Sequence, residues 1–241
     1  MAQLELTGDG RVERLLEPGA DGRLGAARTD GGVSGEAGDS LAWVVVEDGR
    51  GRLSIRSGHG SGHGEVSVEV DGRADVFERA GWSAIVGPGG RFELEGDLRA
   101  TVVWRASERA TASRVIDPAT VGEEHRGEAT TARRVRTYVS EGELIVGETL
   151  NPPGGWSSYP PHRHEHEELY LYRFDPPNGF GVHVSYDDDA DSARVVRDGS
   201  IERITAGYHP VVAAPAAAMY YLWALAGDRD TVDTHVDPLF A

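Results

Sequence analysis

Three histidines and three glutamates lie close together in the stretch SSYPPHRHEHEELYLYRF, residues 157–174. Imidazole and carboxylate groups are the side chains that bind divalent metals and move protons near neutral pH. Successive side chains of a strand point to opposite faces, so His162 and His164 share one side. If a short turn follows, Glu168 begins the next strand and shares a face with two tyrosines. The pattern predicts a pocket with a polar anchor and an aromatic lining.

A complete metal site needs a further ligand from another part of the chain. His209 in AGYHPVVAAP follows a glycine and precedes a β-branched run, which places it at the start of a strand. Three imidazoles and one carboxylate suit Zn, Mn, Fe, Ni or Co and leave room for substrate oxygens. We therefore predict a metal site formed by His162, His164, Glu168 and His209. The alternative is an exposed polar turn, where HxH pairs beside glutamates are common.

Other polar clusters are weaker candidates. His59 and His63 in SGHGSGHGE are four residues apart, but the surrounding glycines favour a surface loop. The run DDDAD at 187–191 contains calcium-binding residue types, although a solvated connection between strands is the expected structure. We expect His125 and His235 to be surface residues.

The composition limits the partners of the chain. Its 241 residues include 24 Lys and Arg against 40 Asp and Glu, a net charge of -16, which disfavours nucleic acid as a partner. A small anionic substrate is still compatible, because a few arginines reverse the field inside one pocket. The absence of cysteine excludes thiolate ligands and disulfides. The start of the chain lacks a secretory signal pattern and the apolar runs are short, so we expect a cytoplasmic protein without membrane partners.

The elements that must position these residues are short strands. Segments such as LAWVVVED, RATVVWRAS, GELIVGETL and GFGVHVSY alternate or are rich in β-branched residues, and turn residues bound them. Two series of such segments flank a polar connector, ASERATASRVIDPATVGEEHRGEATTA, with a short helix expected near residues 118–123. The pattern predicts an all-β chain of two tandem jelly-roll barrels, residues 1–115 and 116–241.

The later half carries a resemblance to a known family. The segments WSSYPPH, EELYLYRF, GFG, GYHPV and YYLW, in this order within residues 128–228, resemble the 5-deoxy-glucuronate isomerase family, bicupin enzymes of bacterial myo-inositol catabolism. The resemblance implies two cupin barrels and the same four metal ligands chosen above. It also implies an aldose–ketose isomerisation of 5-deoxy-D-glucuronate to 5-dehydro-2-deoxy-D-gluconate through an enediolate. The N-terminal barrel lacks the ligand set, so we expect it to be metal-free.

The resemblance leaves several roles open. The short loop before Glu168 makes Glu167 and His166 alternative ligands. The family usually has Gln at the position of His183. Candidates for moving the proton are His183, His166, Tyr170 and Tyr172. For the substrate carboxylate we expect an arginine among Arg133, Arg134 and Arg136, and for its hydroxyls Tyr159, Tyr208 and Tyr220.

Further expectations concern cofactor and class. Zn or Mn is the expected metal, with Fe, Ni or Co as alternatives, and we expect a homo-oligomer that binds a small sugar acid. The competing functions are another metal-dependent cupin enzyme, such as a dioxygenase, and a non-catalytic sugar-acid-binding cupin.

Overall fold

The computed structural model describes residues 4–19, 22–58 and 64–241. The two histidines of the glycine-rich loop, His59 and His63, lie outside the described residues. No described helix has the length and apolar character needed to cross a bilayer.

The chain divides into two compact units, Met1–Val121 (unit 1) and Gly122–Ala241 (unit 2). Both are built of strands, which confirms the predicted all-β class. The helical segments within the described part are two short 3-10 helices, Pro118–Thr120 and Ala129–Thr131. The first occupies the start of the expected helix near 118–123, and the side chain of Asp117 caps it by accepting from the amide of Ala119.

The described residues of unit 1 form nine strands in one sheet. They are β1 (Glu5–Gly8), β2 (Arg11–Leu16), β3 (Gly25–Asp30), β4 (Val33–Glu36), β5 (Ser40–Arg56), β6 (Val66–Val70), β7 (Ser83–Val86), β8 (Arg91–Ala106) and β9 (Arg114–Ile116). The order β1-β4-β8-β5-β7-β9 forms the main path, and β2, β3 and β6 join at its sides. The expected domain boundary after residue 115 falls inside β9, which pairs with β7.

The paired strands β5 and β8 are the frame of unit 1. They are 17 and 16 residues long and pair from Ser40 opposite Ala106 to Arg56 opposite Arg91. Alternate apolar residues of both strands enter one core, whose members include Ala42, Val44, Val46, Val102 and Trp104. The sequence pattern predicts two strands here, LAWVVVED and GRLSIRS, on either side of Gly49. The structure joins them in one strand, β5.

Unit 2 contains the remaining strands. They are β10 (Glu123–Arg126), β11 (Arg133–Val139), β12 (Leu144–Asn151), β13 (Trp156–Ser157), β14 (His162–Arg163), β15 (Glu167–Asp175), β16 (Phe180–Tyr186), β17 (Asp191–Arg197), β18 (Ile201–Ile204), β19 (Val211–Ala213), β20 (Ala218–Ala226) and β21 (His235–Val236). A six-stranded sheet runs β10-β11-β12-β20-β15-β18, and a four-stranded sheet runs β13-β19-β16-β17. The short pair β14–β21 lies apart from both.

The two sheets of unit 2 enclose one core. Tyr170, Tyr172 and Phe174 of β15 pack with Val211 and Ala213 of β19 in the same buried cluster. Pairing places Tyr170 opposite Trp223 and Tyr172 opposite Tyr221, so these rings share the inner face. The interior of this barrel is where the predicted metal ligands meet.

Candidate metal centre

Three histidines from separate parts of unit 2 converge at one end of the barrel. His162 lies on β14, His164 follows it, and His209 precedes β19. One ligand nitrogen from each ring lies within 4.8 Å of the other two. The ring centroids of His162 and His164 are each 5.1 Å from that of His209. Among the described residues, these three histidines form the group whose ligand atoms are close enough together to hold a metal ion. The expectation that unit 1 is metal-free stays a prediction.

Each of the three imidazoles has its Nδ1 atom next to a backbone carbonyl. Nδ1 of His162 is 3.0 Å from the oxygen of Pro160, that of His164 is 2.9 Å from the oxygen of His166, and that of His209 is 3.1 Å from the oxygen of Gly207. A carbonyl only accepts, so in the neutral form of each ring the proton is on Nδ1 and Nε2 has a free lone pair. Such backbone bonds are the usual means of orienting metal-binding histidines.

Glu168 supplies a carboxylate to the same point. Its Oε2 atom is 3.2 Å from Nε2 of His164 and 3.2 Å from Nε2 of His209. Burial alone would raise the pKa of the Glu168 carboxyl, but the contacts with the two histidines outweigh burial and hold that pKa well below its usual range. Glu168 is therefore a buried anion at the centre of the cluster.

The charge of Glu168 also affects the imidazoles. Burial opposes protonation of His164, but the hydrogen bond and charge of Glu168 outweigh it and raise the pKa of the His164 imidazole. Burial lowers the pKa of His162, and the neighbouring His209 lowers it further. A bound cation would take the place of the proton that His164 shares with Glu168.

The surroundings of the Nε2 atom of His209 indicate whether a metal fits the cluster. It is fully buried and has no hydrogen-bond partner among the described residues. Because the ring proton is on Nδ1, its 3.2 Å contact with Glu168 brings two acceptors together. A cation between them satisfies both atoms. Three imidazole nitrogens and one carboxylate fit a divalent ion of the borderline class.

The two alternative ligands face elsewhere. Glu167 lies on the other face of β15, 3.5 Å from the guanidinium of Arg203. The Nε2 atom of His166 is 3.2 Å from the carbonyl oxygen of Arg229. Neither side chain joins the three histidines, so Glu168 is the carboxylate that the fold offers to the cluster.

Three of the four candidates for proton transfer, all except His166, adjoin the cluster on its inner side. The hydroxyl of Tyr172 is 2.7 Å from Nδ1 of His183, and the ring of Tyr170 lies between the rings of His183 and His209, at 5.8 and 6.1 Å. Burial lowers the pKa of His183 to about 4. Burial and the charge of Glu168 raise the pKa values of both phenols well above the usual 10. At neutral pH all three groups are uncharged.

One of the arginines lies on the inner face. Arg133 is half-buried and donates to the backbone oxygens of Thr131 and Tyr159, at 2.9 and 3.2 Å, with no carboxylate partner among the described residues. Burial lowers its pKa, and the nearby Tyr221 and Tyr170 partly offset this effect. A half-buried guanidinium bound only to carbonyls is well placed to accept an anionic ligand.

Arg134, Arg136 and Tyr220 lie on the opposite face of the sheet and do not reach the histidines. Arg134 and Arg136 pair with Glu123, and Arg136 also contacts Glu148 at 3.3 Å. The hydroxyl of Tyr220 donates to Glu148 at 2.9 Å. The role expected for Arg134 and Tyr220 in substrate binding is therefore not compatible with their placement. They belong to a buried ion-pair network.

The side chains of Tyr208 and Tyr159 and of the two surface histidines lie outside the histidine cluster. The ring of Tyr208 contacts Tyr186 and the guanidinium of Arg163, away from the cluster. The ring of Tyr159 packs against Phe240, while its backbone oxygen accepts from Arg133. His125 and His235 are exposed, as expected.

Residues 29–241, which are most of this chain, match the KduI/IolB family. The chain is 33% identical over 221 residues to the 5-deoxy-glucuronate isomerase of Geobacillus kaustophilus, which covers 84% of this chain and 78% of that protein. The enzyme of the same name from Bacillus subtilis strain 168 is 30% identical over 195 residues, 73% and 72% of the two chains.

The chain belongs to the KduI/IolB family.

Solved structures agree with this family on the fold. An IolB-like protein from Salmonella typhimurium LT2 superposes with a TM-score of 0.82 at 23% identity, covering 91% of this chain and 89% of that one. Oxalate decarboxylase OxdC of Bacillus subtilis, a bicupin, superposes with a TM-score of 0.65 at 9% identity, covering 98% and 77%. The predicted tandem cupin fold is confirmed.

Three residues of the site, Ser157, Ser158 and Tyr221, were not predicted. The hydroxyls of Ser158 and Tyr170 lie 2.6 Å apart, and Tyr221 donates to Ser157 at 2.9 Å. Alternation puts Tyr221 and Trp223 on one face of β20, but it does not show that this face is the inner one. The choice of Tyr220 instead took the wrong face of the strand.

Proposed function

We propose that the chain is a metal-dependent aldose–ketose isomerase that converts 5-deoxy-D-glucuronate to 5-dehydro-2-deoxy-D-gluconate in inositol catabolism. The single observation that carries the metal dependence is the convergence of the three histidine nitrogens, two of which lie 3.2 Å from the buried carboxylate of Glu168. The names of the relatives support the reaction. The expected barrel division, the cytoplasmic location and the expected site residues other than Arg134, Tyr208 and Tyr220 remain part of the same proposal.

His162, His164, His209 and Glu168 would hold the ion, with Zn or Mn as the proposed species. A divalent ion at this place supplies Lewis-acid stabilisation of negative charge on the substrate oxygens, worth several kcal/mol. The lone pairs are aimed beforehand by the three backbone carbonyls, so little reorganisation is needed when the ion binds.

Arg133 orients the substrate in this proposal. Its guanidinium would bind the carboxylate at one end of the sugar acid while the aldehyde end lies at the histidines. A charge-assisted pair of this kind is stronger than a neutral hydrogen bond and fixes direction as well as position. Its backbone partner Tyr159 then acts through Arg133 as a positioning residue.

The proton moves from C2 to C1, so the C2 hydroxyl becomes a ketone and the aldehyde an alcohol. We assign this transfer to His183, assisted by Tyr172. A pKa of about 4 leaves the His183 imidazole neutral and able to accept the proton at pH 7. The buried hydroxyl of Tyr170, still protonated at that pH, donates to a sugar oxygen.

The test is isomerisation followed by NMR in deuterated water. Purified protein with Zn or Mn should convert 5-deoxy-glucuronate to the ketose, and deuterium should enter at the former aldehyde carbon. His183→Leu, which removes both ring nitrogens, should lose most turnover while keeping its metal, whereas His125→Gln on the surface should behave as wild type. Metal-loaded protein that leaves the sugar unchanged but consumes oxygen with another substrate would refute the isomerase in favour of a dioxygenase.

A further inference from the structure

A cavity of about 930 Å³ in unit 2 is separate from the histidine cluster. Val184 and Tyr186 of β16 line it, whereas His183, the residue before Val184, faces the barrel interior and contacts Tyr172. Pro161 and Pro210, each next to a proposed metal ligand, also line it, but the ligands themselves do not. The cavity therefore lies on the outer side of the four-stranded sheet.

Aromatic rings form much of the cavity wall. Trp156 and Tyr159 have centroids 6.2 Å apart at an interplanar angle of 60°, and Tyr159 and Phe240 have centroids 5.8 Å apart at 69°. Tyr186 adds a fourth ring. Rings that stand at steep angles around one space present several π faces to it, as in the aromatic cages that recognise alkylammonium groups.

The polar part of the wall is acidic. Five carboxylates line the cavity, and within the described residues no Lys, Arg or His does. They belong to Asp187, Asp188, Asp189, Asp191 and Asp237. Asp237 is only 5% exposed and accepts from the hydroxyl of Tyr186 at 2.6 Å and from the amide of Leu239 at 2.9 Å. The buried carboxylate thereby fixes the segment that carries Phe240.

We propose that this cavity binds a small organic cation, an alkylammonium or polyamine, between its aromatic rings and its carboxylates. The volume is in the range of small-molecule sites. Concave walls with one sign of charge concentrate ions of the opposite sign, and a ring face adds attraction for a cation. The same walls repel an anionic sugar acid, so this site and the histidine cluster take ligands of opposite charge. The proposal does not depend on the isomerase activity.

Calorimetry with 1,8-diaminooctane as the probe tests the proposal. The uncharged 1,8-octanediol, similar in length and apolar surface, is the matched ligand. Metal-free protein is used, so that the outcome is independent of the histidine cluster. The diamine should bind with one-to-one stoichiometry, at least about tenfold more tightly than the diol, and more weakly as salt is added.

Two pairs of variants locate the site. The double variant Asp188→Asn, Asp189→Asn should weaken diamine binding about tenfold. The control is the double variant Glu93→Gln, Asp97→Asn, which changes the net charge by the same amount at exposed residues of unit 1 and should leave diamine binding unchanged. Phe240→Leu should weaken binding several-fold, and Phe180→Leu, a ring of similar exposure outside the cavity, should not.

Three outcomes would overturn the proposal. They are equal affinity for diol and diamine, equal loss in the cavity and control variants, and no diamine binding by the metal-free protein.

Discussion

The Nε2 atom of His164 lies 3.2 Å from Oε2 of Glu168, and the same oxygen lies 3.2 Å from Nε2 of His209. A carboxylate shared by two imidazoles whose other nitrogens already donate to carbonyls has one remaining requirement, a positive charge between the three groups. The proposed metal would supply this positive charge.

Glu168→Gln should reduce metal affinity by about a hundredfold or more, because an amide oxygen removes the negative charge from the centre of the cluster. Competition with a fluorescent chelator measures this loss. The matched control is Glu167→Gln on the opposite face of β15, which should keep wild-type affinity. Equal affinities in both variants would show that Glu168 is not a ligand.

Arg133→Ala should lower kcat/KM for 5-deoxy-glucuronate by about a hundredfold, mainly through KM, because it removes the cation assigned to the substrate carboxylate. Arg134→Ala, next in sequence but on the other face, should change kcat/KM little. Steady-state kinetics of the two variants compare the faces directly. A larger effect for Arg134 would reverse the assignment.

His183 should make the protein less stable as the pH falls from about 6.5 to 4. Its folded pKa of about 4 lies below the ordinary value of 6.5, so the unfolded chain binds the proton first in this window. Above pH 6.5 both states are neutral and the effect vanishes. The loss is at most about 1.4 kcal/mol per pH unit.

Urea unfolding at pH 7 and pH 5 measures this effect. The fall in stability between the two pH values should be smaller in His183→Gln than in wild type. An equal fall in both proteins would mean that His183 does not titrate differently in the folded state.

Tyr220→Phe should lower stability by about 1–3 kcal/mol without changing KM, because the buried Glu148 loses a hydrogen-bond donor outside the site. Denaturant unfolding and kinetics on the same preparation separate the two effects. A raised KM at unchanged stability would return Tyr220 to the substrate site.

The convergence of the three histidines with Glu168 could be predicted because each of the four lies within two residues of a strand end, where alternation is simple. Alternation on β15 put Glu168, Tyr170 and Tyr172 on one face, as the structure has them. It failed on β20, where Tyr220 and Tyr221 are both buried and no polar face shows which tyrosine points inward. A strand buried on both faces gives no sign of its orientation.

Glycines also misled the prediction of strand ends. Gly49 and Gly96 have φ values of +95° and +91°, but they lie within the paired strands β5 and β8. A glycine with a positive φ can continue a paired strand as well as end it, and the sequence alone does not distinguish the two cases. The contact of Asp237 with Tyr186 joins residues too distant in sequence for any local pattern to predict.

Metal content after dialysis against a weak chelator tests the central claim most directly. The wild-type chain should retain about one divalent ion, and His209→Ala should retain almost none, because His209 provides a fully buried nitrogen with no other partner among the described residues. An unchanged metal content in His209→Ala, or none in the wild type after loading, would contradict the account.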